Sequence, residues 1–191
     1  MGLLTLYHSG YQEIRSPDVH YGRRNADFGQ GFYLTEDRDF ACIWAREKKG
    51  SDIILNQYEL DCDDLLIHRF GREEDWYEYI LENRTGKPDR YRDFDVIIGP
   101  IANDTIYDTS GIIFSGFLSK EEALTLLRLG PQYTQITLKT ERAVSHLSWK
   151  NACIISPEEA REYRKTAEEK EKAFQKMFAE TMLSFAEDTE S

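Results

Sequence analysis

The sequence predicts an α+β domain over residues 1–155, followed by a charged C-terminal helical extension over residues 156–191. Two observations predict this class. Short β-prone segments alternate with segments whose apolar residues recur at helical spacing. From Ser156 the composition then changes, because the motif SPEE combines a capping box with a proline at the first helical position and opens a charge-rich stretch to about residue 185.

The predicted strands are short apolar or alternating runs bounded by polar residues, glycine or proline. Leu55 and Tyr58 interrupt the alternation of their run, so we expect an irregularity in that strand. The runs are residues 3–8, 31–35, 53–61, 95–101, 132–140 and 152–156.

Three helices are predicted inside the domain. The first follows residues 31–35, with Thr35 as its capping residue and acidic residues in its first turn. The second covers residues 73–84, where aromatic and aliphatic side chains define one apolar face. The third covers residues 120–130 and begins with a capping box of Ser119 and Glu122.

The C-terminal extension is predicted to be one helix with an apolar face. Two interpretations of that face stay open: it packs on its own domain or pairs with a second copy, or it docks on a partner protein. The side chains that define the face are Tyr163, Ala167, Phe174, Met177, Phe178, Met182 and Phe185.

Charge and composition limit the function classes. The net charge of −11 repels phosphate backbones and anionic lipid, which excludes broad nucleic-acid binding but not a target held by a local patch such as Arg23-Arg24. The three widely spaced cysteines form neither a disulfide framework nor a zinc motif, which favours a cytoplasmic protein. We identify no signal peptide or membrane span, and the scattered histidines predict no metal site.

Motifs of common enzyme classes are absent, since the sequence has no GxSxG, no Walker loop and no GxGxxG. Single residues carry little information. His8 after a strand is more often a core or turn histidine than a functional one, and Tyr33 could belong to the core. Gln135, a polar residue in a predicted strand, is best explained alone by an edge position.

Four motifs taken in order are more informative. They read NxDFGxGFYLT from Asn25 to Thr35, WxxYIxxNR from Trp76 to Arg84, FDxxxGPIAxD from Phe94 to Asp104, and QxTxKT from Gln135 to Thr140. Over roughly residues 4 to 150 the chain resembles an uncharacterised bacterial family with these motifs. That family in turn resembles ADP-ribosyltransferases of the diphtheria-toxin and poly(ADP-ribose) polymerase-like branch.

The resemblance implies a split β-sheet core with peripheral helices, and the long C-terminal helix lies outside it. The core is expected to bind NAD as a substrate in a cleft, without a metal. In such sites the histidine of the first strand contacts the nicotinamide ribose, which maps to His8, and a tyrosine stacks on the nicotinamide ring, which maps to Tyr33. The late-strand residue that contacts the ribose 2′-hydroxyl maps to Gln135. The NAD-binding positions implied are Asn25, Gly31, Phe32 and Tyr33, together with His8, Ser9 and Gly10.

Gln135 departs from the glutamate of many relatives. It supplies a dipole where glutamate supplies a charge, and chain extension into poly(ADP-ribose) is therefore not expected. A nearby acid could compensate, with Asp104 as the first candidate and Asp27 as the second. Both could instead only shape their loops. Asn83 and Arg84 are expected to support neighbouring loops, with an alternative role for Arg84 on a pyrophosphate.

Three hypotheses follow. The first is an NAD-dependent mono-ADP-ribosyltransferase, with Gln135, Tyr33 and Asp104 as catalytic candidates and an unknown protein, nucleic-acid or small-molecule acceptor. The second is a catalytically inactive nucleotide- or protein-binding module of the same fold, which could belong to a toxin–antitoxin or phage-defence system. The third is an interaction protein that acts through its C-terminal helix.

Overall fold

Two β-sheets form the centre of the computed structural model, which describes residues 2–45, 48, 50–102 and 116–189. The first sheet is antiparallel and has three strands, in the order β1 (Leu3–Gly10), β3 (Ile54–Asp61) and β7 (Leu147–Ile154). The second has four strands, in the order β2 (Phe32–Leu34), β6 (Thr134–Leu138), β5 (Val96–Pro100) and β4 (Ile67–Arg69). The chain therefore has the predicted mixed α+β class, with its strands divided between two sheets.

The two sheets meet where β1 passes the end of β2. The backbone N–H of Tyr7 donates to the carbonyl of Thr35 at 2.8 Å, and the N–H of Thr35 donates to the carbonyl of Tyr7 at 3.1 Å. This contact corrects the predicted start of the first helix. Because Thr35 is held in the bridge, helix α1 (Arg38–Trp44) begins two residues later, and the Asp37 carboxylate accepts from the N–H of Phe40 at 2.9 Å.

The remaining helices are α2 (Glu74–Arg84), α3 (Lys120–Leu127), α4 (Glu141–Ser145) and α5 (Pro157–Thr189). The predicted capping box of α3 is confirmed, since the N–H of Ser119 donates to Glu122 at 2.7 Å and the N–H of Glu122 donates to Ser119 Oγ at 3.2 Å. The expected irregularity of β3 is a shift in its pairing with β7 between Gln57 and Tyr58. Strand β4 and helix α4 were not predicted.

The C-terminal helix α5 packs on its own chain. Phe174 and Phe178 are 0% and 6% exposed and lie in a core cluster with Trp76 of α2 and Leu126 of α3. Nearer its start, Tyr163 receives a hydrogen bond from the Arg38 guanidinium of α1 at 3.1 Å. The packing interpretation of the apolar face is therefore confirmed for these side chains.

A second core cluster lies between the two sheets. It includes Leu6 of β1, Tyr58 of β3 and Ile136 of β6, each fully buried. Since these strands are anchored in this cluster, the polar residues that share them are held in defined positions. The side chains of these strands that line the cavity at the junction of the sheets are therefore held on rigid elements.

Candidate functional site

A cavity of about 270 Å³ lies at the junction of the two sheets, beside the Tyr7–Thr35 bridge. One part of its lining is apolar, from Tyr7, Ala26, Leu34, Phe40, Ala41, Trp44 and Ile101. The other part carries polar groups, from His8, Ser9, Arg23, Asp27, Tyr33, Thr35 and Gln135. Largely apolar walls with a few convergent polar groups are typical of small-molecule sites.

His8 of β1 is fixed in one tautomer. Its Nδ1 lies 2.8 Å from the carbonyl oxygen of Tyr33. A carbonyl oxygen only accepts, so Nδ1 donates the proton and the neutral ring leaves Nε2 as an acceptor. Burial lowers the pKa of His8, more than the hydrogen bond to Tyr33 raises it, which favours the neutral ring. The cavity therefore contains a hydrogen-bond acceptor at Nε2, with no partner among the described residues.

Tyr33 of β2 lines the cavity with its ring, while its hydroxyl is used inside the protein. The hydroxyl accepts from the N–H of Phe28 at 2.9 Å and donates to the carbonyl of Gly29 at 2.7 Å. Burial, reinforced by the charge of Asp27, raises the pKa of Tyr33 and keeps the phenol protonated. Tyr33 thus offers a flat apolar surface to a ligand and holds the turn at residues 28–29 in place.

Gln135 is 7% exposed and lies on β6, which has β2 on one side and β5 on the other. The strand as a whole is interior, but its pairing with β2 ends at Ile136, so Gln135 itself pairs only with Gly99 of β5 and the edge interpretation holds locally. The Gln135 amide nitrogen donates to the carbonyl of Pro100 at 3.4 Å, and its amide oxygen has no hydrogen bond to any described residue. Since that oxygen is not among the buried polar atoms without a partner, it is open to the cavity and is free to accept a hydrogen bond from a ligand.

The structure brings His8, Ser9, Tyr33 and Gln135 to one cavity, as the resemblance implied. Gly10 lies next to it, in an adjoining hollow of about 190 Å³ that shares Ser9 and Trp44 with the first.

Three further predicted NAD-binding positions do not line the cavity, which corrects their expected placement. Phe32 is 8% exposed and packs in the core between the sheets, since its side chain leaves β2 on the face opposite to that of Tyr33. Gly31 is in close contact with β6, where a Cβ would come within 2.6 Å of the Leu138 carbonyl oxygen. Asn25 is exposed outside the lining.

The structure describes only one of the two candidate acids. Asp104 lies outside the described residues. Asp27 lines the cavity, but one of its oxygens accepts from Arg84 Nη2 at 2.7 Å and from Arg84 Nε at 2.9 Å. The Asn83 amide also donates to the Asp27 carbonyl at 3.0 Å. Asn83 and Arg84 therefore support the loop before β2, as predicted, and the charge of Asp27 is balanced.

The sequence reasoning missed Arg23, Phe40 and Trp44 as lining residues. Arg23 is exposed and makes no ion pair with any described residue. Phe40 and Trp44 lie on helix α1, and the signal that could have identified them is Trp44 itself. A tryptophan that is 40% exposed on a seven-residue helix beside a glycine-bearing strand is typical of a ligand wall.

Comparison with known proteins defines the family of this chain. It belongs to the family described as "Protein of unknown function (DUF3990)", whose model matches residues 4–149. This match agrees with the expected uncharacterised family over roughly residues 4 to 150. No curated protein matches the chain.

The fold is similar to that of a chain in the crystal structure of the M. tuberculosis MbcT-MbcA toxin-antitoxin complex. The two are 10% identical, the similarity covers 85% of this chain and 89% of that chain, and the TM-score is 0.49. A likeness of that degree says nothing about activity.

The described residues contain no group of three or more His, Cys, Asp or Glu side chains placed to hold a metal ion. None of the described helices combines the length and the apolar character that crossing a membrane requires.

Proposed function

We propose that the chain is an NAD-dependent mono-ADP-ribosyltransferase and that the cavity at the sheet junction holds the nicotinamide riboside half of NAD. The observation that carries the proposal is the meeting of His8, Tyr33 and Gln135 in one cavity, although they lie on three strands of two sheets. His8 and Tyr33 are the residue types that the resemblance implies for the first and second strands of the NAD site, and Gln135 occupies the late-strand position where many relatives have glutamate.

The size of the cavity fits half of the dinucleotide. Its volume of about 270 Å³ is slightly below the ~300–1,000 Å³ of sites that enclose a drug-sized ligand. The adjoining hollow lined by Gly10 and Tyr11 offers room for the remainder of NAD. Arg23 is the cation available for the pyrophosphate, because Arg84 is already paired with Asp27.

Each of these side chains can make one of the contacts that NAD requires. The acceptor Nε2 of His8 binds a ribose hydroxyl, which is a donor. The ring of Tyr33, together with Phe40 and Trp44, supplies flat apolar surface for the nicotinamide ring. Gln135 orients the ribose through its free amide oxygen.

Transfer breaks the bond between the ribose C1′ and the nicotinamide nitrogen, and the bonding electron pair leaves with nicotinamide. The acceptor nucleophile forms the new bond to C1′ and loses its proton. Positive charge develops on the ribose meanwhile, so negative potential close to C1′ accelerates the step. The oxygen of Gln135 supplies the negative end of a dipole there, and Asp104 stays our proposal for an additional charge.

A second candidate function has its own supporting observation. Asp27 is the single carboxylate among the described lining residues, and Arg84 neutralises it. A cavity that binds NAD without a free negative charge fits a nucleotide-binding module of the same fold that does not catalyse transfer. Binding without turnover distinguishes this candidate from the transferase.

The test is a calorimetric titration with NAD, with nicotinamide release measured in the same samples. The variant is Gln135→Ala, and the matched control is Gln132→Ala, an exposed glutamine three residues earlier that does not line the cavity. Binding with release that the first variant loses and the second keeps supports the transferase. Binding without release supports the inactive module. No binding at about 1 mM NAD, the upper end of common KM values, refutes both.

A further inference from the structure

A second hollow of about 270 Å³ lies behind the loop that precedes β2. The loop separates it from the proposed NAD cavity, since Arg23 and Asp27 line the first cavity whereas Arg24 and Gly29 line the second. We call this second space the Lys139 hollow, after the buried lysine in its lining.

The Lys139 hollow concentrates positive charge on a protein whose net charge is −11. Its lining includes Arg24, Lys87, Arg92 and Lys139, against one carboxylate, Asp89. Arg24 and Lys87 make no ion pair with any described residue. Arg92 has one long contact, at 3.7 Å to the exposed side chain of Asp93. Cations gathered in this way repel one another, and an anion placed between them removes that repulsion.

Lys139 shows that the hollow is built for an anion. Its side chain is 5% exposed, and its ammonium donates to Asp89 Oδ2 at 2.8 Å and to the carbonyl of Phe28. An ammonium group has three donors, and the third has no partner among the described residues. Asp89 is already shared, since it accepts from the Tyr79 hydroxyl at 2.8 Å and from the N–H of Tyr91 at 2.9 Å. Burial lowers the pKa of Lys139 despite Asp89, and a second anion would favour the charged form.

Gly29 leaves room beside the ammonium of Lys139. Its φ of +71° lies in the left-handed region, and a Cβ at this position would come within 3.0 Å of Lys139 Nζ. Any larger residue would therefore strain the backbone and crowd the nitrogen. Gly29 is therefore required both by the turn before β2 and by the space beside Lys139 in the hollow.

We propose that the Lys139 hollow is a phosphate-binding site, in which Arg24, Lys87 and Lys139 bind one phosphoryl group. Guanidinium and ammonium donors around a small concave space suit a phosphate dianion, whose oxygens accept several charge-assisted hydrogen bonds. The source of the group is either free inorganic phosphate or the phosphate of a mononucleotide. In the second case Tyr21, which is 92% exposed and follows the lining residue His20 in the sequence, is our candidate to stack on a base. This site is independent of NAD.

The test is calorimetry at low ionic strength with inorganic phosphate and with AMP, on the full chain. The double variant Arg24→Gln/Lys87→Gln removes two exposed cations, and the control Lys165→Gln/Lys172→Gln removes the same charge from exposed positions on α5. We expect the first double variant to weaken phosphate binding about tenfold or more, and the control to bind like the unchanged protein.

Two results would overturn the proposal: no binding of either probe at about 10 mM, or equal weakening by the two double variants. Where the site binds, the probes identify the source. Tighter binding of AMP than of phosphate, with the difference abolished by Tyr21→Ala, assigns the site to a nucleotide phosphate. Equal affinity for the two probes assigns it to inorganic phosphate. AMP binding that both double variants keep unchanged counts against the nucleotide source.

Discussion

Replacing Gln135 by glutamate tests whether the proposed transferase lacks only a negative charge. The side chain is 7% exposed, so ionising a carboxylate there is unfavourable. The variant also loses the hydrogen bond to the Pro100 carbonyl, which is long at 3.4 Å and therefore weak. If burial raises the pKa of the new carboxyl group by about two units, the folded state loses about 3 kcal/mol at pH 8. That loss is tolerable for a domain with about 5–15 kcal/mol of stability.

The Gln135→Glu protein should stay folded, so the gain in rate should be measurable. A preorganised group that stabilises the charge developing in a transition state contributes about 2.7–4 kcal/mol, or ~10²–10³-fold in rate. We therefore expect Gln135→Glu to release nicotinamide about a hundredfold faster than the unchanged protein at pH 8. Activity should fall as the pH is lowered through the raised pKa of the new glutamate, because the carboxylate must be ionised to act.

The assay is chromatographic measurement of nicotinamide from pH 5 to pH 9, with thermal unfolding of each variant as a check on folding. Gln132→Glu makes the same chemical change at an exposed position outside the cavity and should leave the rate unchanged. A folded Gln135→Glu protein that binds NAD at pH 8 without any increase in nicotinamide release would refute the reasoning.

Three further predictions concern stability. Burial lowers the pKa of His8 below the ordinary 6.5, so the unfolded chain takes up the proton first as the pH falls. The free energy of unfolding, measured by urea titration, should therefore fall as the pH drops below about 6.5. The variant His8→Asn should lose that part of the decline. Tyr33→Phe leaves the N–H of Phe28 and the carbonyl of Gly29 without their partner and should cost about 2–4 kcal/mol in the same titrations. Phe174→Ala opens a cavity in a core that buries this ring completely, and should lower the free energy of unfolding by about 3–5 kcal/mol.

Each of these variants has a matched control. His20→Asn changes an exposed histidine, Tyr21→Phe removes an exposed hydroxyl, and Lys172→Ala truncates an exposed side chain of α5. All three should stay within about 0.5 kcal/mol of the unchanged protein. A Phe174→Ala protein as stable as Lys172→Ala would contradict the packing of α5, and a pH profile unchanged in His8→Asn would contradict the buried neutral imidazole.

Local sequence signals predicted those elements whose formation is decided locally. The capping box of Ser119 and Glu122 and the alternating strand 132–140 are both present, with small shifts of their ends. Strand β4 was missed because three residues are too few for a periodic signal, and its pairing with β5 is distant in sequence. The start of α1 was placed at Thr35 because the bridge that holds Thr35 depends on Tyr7, 28 residues earlier.

The candidate site was predictable only in part for the same reason. The resemblance selected His8, Tyr33 and Gln135, and these do line one cavity. The edge interpretation of Gln135 describes its local pairing, since β2 ends opposite Ile136, but a single sequence does not fix the order of strands, which places β6 between β2 and β5. The hydrogen bonds of the Tyr33 hydroxyl could not be predicted either, because its partners Phe28 and Gly29 are positioned by the shape of a turn.

The distribution of charge limits which anions can bind in the proposed NAD cavity and in the Lys139 hollow. The net charge of the chain is −11, while two arginines that make no ion pair with any described residue lie on the two sides of one loop, Arg23 toward the proposed NAD cavity and Arg24 toward the Lys139 hollow. At physiological ionic strength, charges interact over about 8 Å, so a small anion inside a hollow is governed by the cations that line it. A long polyanion extends beyond that distance over acidic surface and is repelled. This arrangement therefore favours mononucleotide-sized anions over nucleic acid, and it makes the comparison of AMP with NAD the most direct measure of how the two hollows differ.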